Sequence, residues 1–209
     1  MTKLNNFVKL MRNKSSLLKC IFFTLITQIT LTMGFIKLLN MTETTNEIIN
    51  RYQNSFSMSI LLFLLLIISI VLLYIMIKSS LSYSQKYMVF TLFSLIEAFF
   101  LHIILSTYSD ETIEFAFYST IAIFISLFIF GLVVVYLGYD LGWLGLILFM
   151  SLFILIITQL IFMLYIIYDT NKILLKYNNT NDYCIIGALD YYLDVINIFI
   201  DLLRLSDDK

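Results

Sequence analysis

Proline is absent from the 209 residues, cysteine occurs twice, histidine once and glycine six times. Each shortage removes a class of structure or chemistry. Without proline the chain lacks the usual means of kinking a membrane helix, and six glycines add little freedom. Regular helices are therefore expected, rather than the broken helices of many transporters. Cys20 and Cys184 stand alone near the ends of apolar segments. They make neither a disulfide framework nor a zinc site, and read as small apolar residues. The single His102 excludes an HExxH element and a histidine-rich metal site, and no P-loop, GxGxxG or GxSxG occurs. Most soluble-enzyme chemistry is thus left without a carrier. Charge is scarce as well, at 13% of residues, where a soluble domain has about a quarter.

What fills the space is apolar. Hydrophobic residues make up 61% of the chain, and several uncharged runs exceed the roughly 18 residues that mark a membrane span. The composition specifies an all-α polytopic membrane protein. A net charge of −1, with no basic patch beyond the N-terminus, gives no reason to expect a nucleic-acid partner.

Residues 1–16 read as a basic cytosolic N-terminus, residues 17–205 as one transmembrane helical domain, and residues 206–209 as a short tail. Lys3, Lys9, Arg12, Lys14 and Lys19 precede or open the first apolar segment with no acid among them, which places this end in the cytosol. That segment, Leu17 to Leu39, is long and lacks a small-x-small exit, so it is expected to be retained. Further spans are expected at about Ser55–Ile77, Tyr87–Thr107 and Phe115–Leu137. The loop with Lys78 and Lys86 faces the cytosol, and the loop with Asp110, Glu111 and Glu114 faces away. Between Asp140 and Asp169 the chain is too short for two spans and a turn, which need about 40 residues. The economical reading is one long tilted helix from Leu141 to about Leu175. It gives about six segments and puts the 170–183 loop on the non-cytosolic side, although Lys172 and Lys176 pull the other way. Gly138 and Gly142 form a GxxxG pair followed by Gly145, a spacing that permits close helix approach within the chain or between copies.

The chemistry gathers at the C-terminal end. In ALDYYLDVINIFIDLLRL, Asp190, Asp194, Asn197 and Asp201 fall on a single helical stripe. A carboxylate at membrane depth costs roughly 2.5–3.5 kcal/mol on insertion scales, so a partner is required. Asp169, in IIYDT, is folded alongside by a short loop from Lys172 to Asp182. Two carboxylates in a low dielectric cannot both ionise cheaply and share a proton. Losing that proton adds repulsion between the helices and makes a hard oxygen site that attracts Ca²⁺. The alternative is an amphipathic helix lying in the interface with its acids in water. Glu97, inside an otherwise apolar span, reads either as a second acidic station on an ion route or as a neutral packing residue. Asn197 can hydrogen-bond across helices in either case.

IIYDT followed by AL, YLD, INIF and LLRL resembles the Bax inhibitor family, also called lifeguard or transmembrane Bax-inhibitor-motif proteins. FTLFSLIEAF at Phe90–Phe99 is similar to the third membrane segment of its Golgi anti-apoptotic branch. The resemblance runs from about Tyr87 to Leu205. It implies a seven-helix fold short of one segment here, with the C-terminal helix at its centre. It also implies that Asp169 and Asp194 act as a pH-responsive pair at a calcium leak path. Asp190 and Asp201 depart from the family, which carries Ser or another uncharged polar residue there; Lys78 is the candidate for the basic partner that bacterial relatives supply as an arginine. The function implied is a pH-sensitive Ca²⁺-permeable leak channel of the Golgi or endoplasmic reticulum, which suppresses apoptosis by lowering stored calcium. Its partners are then the bilayer, Ca²⁺ and H⁺, and cell-death regulators in the membrane, with no cofactor. A non-conducting adaptor that binds such regulators is the alternative, favoured by the missing segment. An enzyme is not expected. Intramembrane aspartyl proteases also use a Tyr-Asp, but GALD at Gly187 lacks the glycine directly before aspartate, and a Pro-Ala-Leu element needs proline.

Overall fold

The computed structural model describes residues 2–41, 56–78, 81–106, 108–141, 158–177 and 181–207. Among these residues there are six α-helices and no strand: α1 (Thr2–Met41), α2 (Phe56–Lys78), α3 (Tyr83–Leu105), α4 (Asp110–Leu137), α5 (Thr158–Leu175) and α6 (Asn181–Asp207). Five of them, α1 to α4 and α6, are long and apolar enough to cross a membrane. The all-helical membrane class read from composition is what the chain adopts. Contacts divide the chain into two compact units, one of Met1–Phe22 with Asp110–Lys209 and one of Phe23–Ser109.

In the Phe23–Ser109 unit, α2 is apolar all round. Phe63 and Ile70 are more than half exposed, as side chains in contact with lipid are. α3 opens with a capping box, in which Ser82 and Gln85 each accept a hydrogen bond from the other's backbone N–H. That arrangement satisfies two of the donors a helix start leaves open. Its buried face carries Phe90, Phe93, Ser94, Ala98, Leu101 and Leu105. The Ser94 hydroxyl donates back to the Phe90 carbonyl at 3.0 Å, and Gln28 of α1 donates to Thr91 Oγ1 at 3.2 Å.

In the other unit α4, α5 and α6 pack against one another pairwise. A Cβ at Gly131 of α4 would lie 2.7 Å from Thr170 Cβ of α5, and one at Gly187 of α6 would lie 2.7 Å from Ile21 Cδ1 of α1. These two glycines are where backbones approach most closely. Tyr191 of α6, fully buried, joins the helices at mid-height. Its ring stacks on Phe22 at 6.0 Å and meets Phe124 edge-on at 5.2 Å, and its hydroxyl shares a 3.0 Å hydrogen bond with Thr170 Oγ1.

Three expectations are corrected here. A single helix from Leu141 to Leu175 does not form. Leu141 N–H donates to Asn171 Oδ1 at 3.2 Å, and Asn171 Nδ2 donates to the Tyr139 carbonyl at 2.9 Å. One straight helix would hold positions 141 and 171 about 45 Å apart. Instead α4 and α5 finish at the same end of the unit and run in the same direction. Gly138, expected to serve close helix packing, has φ +88° and no atom within 4 Å of its would-be Cβ. Its N–H bonds to the Val135 carbonyl and that of Tyr139 to the Val134 carbonyl, the Schellman pattern that ends a helix on a left-handed glycine. Gly142 and Gly145 lie outside the described residues. Finally, Cys20 and Cys184 are not separate apolar fillers but a disulfide, closing 164 residues of chain and fastening α1 to the start of α6.

A carboxylate cluster between two helices

Local helix geometry delivers the acidic residues. α5 continues through Lys172 to Leu175, so the loop begins later than the sequence suggested and Lys172 lies one turn beyond Asp169 on the same helical face. α6 presents Asp190 and Asp194 one turn apart. Asp169 and Asp194 are both 5% exposed. Lys172 Nζ lies 2.7 Å from Asp190 Oδ2 and 3.3 Å from Asp169 Oδ1, so one ammonium bridges α5 and α6. The Tyr177 hydroxyl donates to the same Asp190 oxygen at 2.8 Å. Burial first, then the Asp190 charge, push the Tyr177 hydroxyl pKa above its ordinary value, so that hydroxyl keeps its proton and remains a donor. The backbone carbonyl of Tyr177 accepts a hydrogen bond from Lys14 Nζ of α1, and its ring stacks on Tyr183 at 4.7 Å.

Asp194 differs from its neighbours. It interacts electrostatically with Asp169 and Asp190, yet its Oδ2 is buried with no hydrogen-bond partner. An orphaned buried carboxylate oxygen is costly unless the group is protonated or an ion or water reaches it. Farther along the stripe Asn197 and Asp201 are half-buried, and Asp201 Oδ2 also lacks a partner. The structure thus brings Asp169, Asp190 and Asp194 together, with Asn197 and Asp201 continuing the face.

The remaining residues singled out from sequence belong to the other unit. Glu97 lies midway along α3, half-buried, with no ion pair among the described residues. Lys78 ends α2, and its side chain lies outside the described residues. His102 is buried on α3 with both ring nitrogens unpartnered. The cation found on Asp169 is Lys172, which sequence reading had assigned to a loop. The signal was present as an Asp–Lys pair at i, i+3 within the helix expected to reach about Leu175. Tyr177, Tyr191 and the cysteine pair carried no comparable local signal, because their partners are remote in sequence.

Fold and site together define a multi-span helical membrane protein with a carboxylate cluster buried between its last two helices. Residues 151–208 match the family described as inhibitor of apoptosis-promoting Bax1. The matched stretch contains Asp169, Lys172, Asp190 and Asp194 and the IIYDT and YLD motifs that carry the resemblance; it does not single out the Golgi branch. Among curated proteins none matches the chain.

Proposed function

We propose that this protein suppresses cell death from an internal membrane, Golgi or endoplasmic reticulum, as a pH-sensitive leak path for Ca²⁺ that lowers stored calcium. The observation that carries the proposal is the burial of Asp169 and Asp194 on facing helices, with one Asp194 oxygen unpaired. Carboxylates so buried do not both hold charge cheaply, so the closed state keeps a shared proton. Loss of that proton leaves repelling charges between α5 and α6 and exposes hard oxygen ligands suited to Ca²⁺. Asp190, and along the same face Asn197 and Asp201, extend the acidic route. Proteolysis fits less well. An aspartic dyad must share one water between two carboxyls, whereas Asp169 is engaged by Lys172.

The test is Ca²⁺ flux from the purified protein in liposomes over a pH series. Flux rises with pH through the range in which the pair loses its proton, and Asp169→Asn or Asp194→Asn flattens that profile. If both variants keep the wild-type profile, the pair is not the sensor. If wild-type vesicles leak no faster than empty ones, a non-conducting adaptor that binds cell-death regulators in the bilayer replaces the channel.

A further inference from the structure

The Cys20–Cys184 disulfide is a covalent tie between α1 and α6, and both cysteines lie toward one end of their unit. Cys184 is the fourth residue of α6. Its neighbour Tyr183 stacks on Tyr177, whose carbonyl takes the Lys14 ammonium. Cys20 lies six residues beyond Lys14 in α1, a rise of about 9 Å. Lys3, Lys9, Arg12, Lys14 and Lys19 crowd this start of α1 with no acid among them, and the positive-inside tendency assigns such an end to the cytosol. Thiols there are held reduced, and a disulfide in that compartment is as a rule transient rather than a permanent staple. The two sulfurs also differ in access. Cys20 is half-buried, whereas Cys184 is 1% exposed.

We propose that Cys20 and Cys184 form a reversible redox site, which exchanges with a small cytosolic thiol such as glutathione and so fastens α1 to α6 or frees it. Opening begins at the more accessible sulfur. A glutathione thiolate attacks Cys20 Sγ, the Cys20–Cys184 bond breaks, and Cys184 leaves as a thiolate that takes up a proton. A second glutathione thiolate attacks the glutathione sulfur of the mixed disulfide and releases Cys20, which is protonated in turn. Two glutathiones supply the two electrons and depart as their own disulfide; closing is the same exchange in reverse, with glutathione disulfide as oxidant. Once the bond is open, α1 rests on non-covalent contacts, among them Ile21 against Gly187, Phe22 on Tyr191 and Phe7 on Tyr136. The disulfide closes 164 residues of chain, so losing it returns much freedom to the tethered helix. None of this depends on ion passage at the carboxylate cluster.

The experiment equilibrates full-length protein in nanodiscs with glutathione, either at a mostly reduced, cytosolic ratio or at the more oxidised ratio of the secretory lumen. After an acid quench, free thiols are tagged with a maleimide heavy enough to shift the band on a gel. Two tags at the cytosolic ratio and none at the lumenal ratio, interconverting on transfer, are expected. A bond intact in both buffers overturns the proposal and makes the pair a permanent staple. Two free thiols in both buffers overturn it as well. Single variants locate the attack: in C184S the remaining Cys20 takes up glutathione at the oxidised ratio, whereas in C20S the buried Cys184 stays unmodified. Equal uptake by the two variants overturns entry at Cys20. Hydrogen exchange on wild type reads the mechanical consequence. On reduction the amides of residues 2–22 should exchange about ten-fold faster or more, and equal rates in the two states overturn the release of α1. The gel and the exchange measurement both use wild type, so neither depends on a variant that fails to fold.

Discussion

Tyr177 shows how much one side chain can tie together. Its hydroxyl donates to Asp190, its carbonyl accepts from Lys14, and its ring stacks on Tyr183. Removing the hydroxyl leaves Asp190 with Lys172 as its partner, so the loss is that of one hydrogen bond to a charged acceptor, about 1.5–3 kcal/mol before relaxation. Tyr177→Phe is therefore expected to lower the thermal midpoint without unfolding the protein, a shift read by heating the protein in detergent. The carbonyl contact with Lys14 survives that substitution, so α1 stays in place. An undiminished midpoint would mean that Lys172 alone satisfies Asp190.

At the level of helices, two glycines do what the GxxxG spacing was expected to do. At Gly131 an added methyl meets Thr170 Cβ at 2.7 Å, an atom fixed to the backbone of α5. Thr170 cannot step aside without breaking its bond to Tyr191, one residue from Asp190. At Gly187 the obstacle is Ile21 Cδ1, the far end of a flexible side chain. Overpacking a tight core costs about 1–3 kcal/mol. Gly131→Ala should fall at the upper end of that range and Gly187→Ala well below it. Thermal unfolding of the two variants side by side checks the order, and a Gly187→Ala loss equal to that of Gly131→Ala would refute it.

Across the Met1–Phe22 and Asp110–Lys209 unit, several contacts gather at one end. Phe7 of α1 meets Tyr136 of α4 edge-on at 5.4 Å, Lys176 lies 3.9 Å from Asp140, and Lys14 reaches Tyr177. The loop after α5 therefore shares an end with the basic start of α1, which the positive-inside tendency assigns to the cytosol. A cytosolic start of α1 thus predicts a cytosolic 170–183 loop, opposite to the expectation from segment count and in keeping with Lys172 and Lys176. Lys176→Cys, at an exposed position, should react with a membrane-impermeant thiol reagent in intact, right-side-out microsomes. Cys20 and Cys184, being paired, should stay silent until a reductant is added. Labelling of Lys176→Cys only after the vesicles are opened would restore the opposite orientation.

The amino-acid sequence alone determined the membrane class, the positions of the apolar helices and the acidic stripe of α6. Each depends on composition or on the 3.6-residue period, which are properties of neighbouring residues. The end of the helix near Leu175 was foreseen, but its start near Leu141 was not, and the tie from Lys172 to Asp169 and Asp190 appears only when a facing helix supplies Asp190. The same holds for Cys20 and Cys184, which became a pair only because α1 lies against the start of α6. The roles of Gly131 and Gly138 were likewise hidden, since a glycine does not declare whether it admits a neighbour or ends a helix. Which carboxylate receives the lysine, which oxygen stays unpaired and which end of the unit holds the loop were decided by tertiary structure. Contacts between residues far apart in the chain set the local charge and burial, and no window of sequence contains both partners.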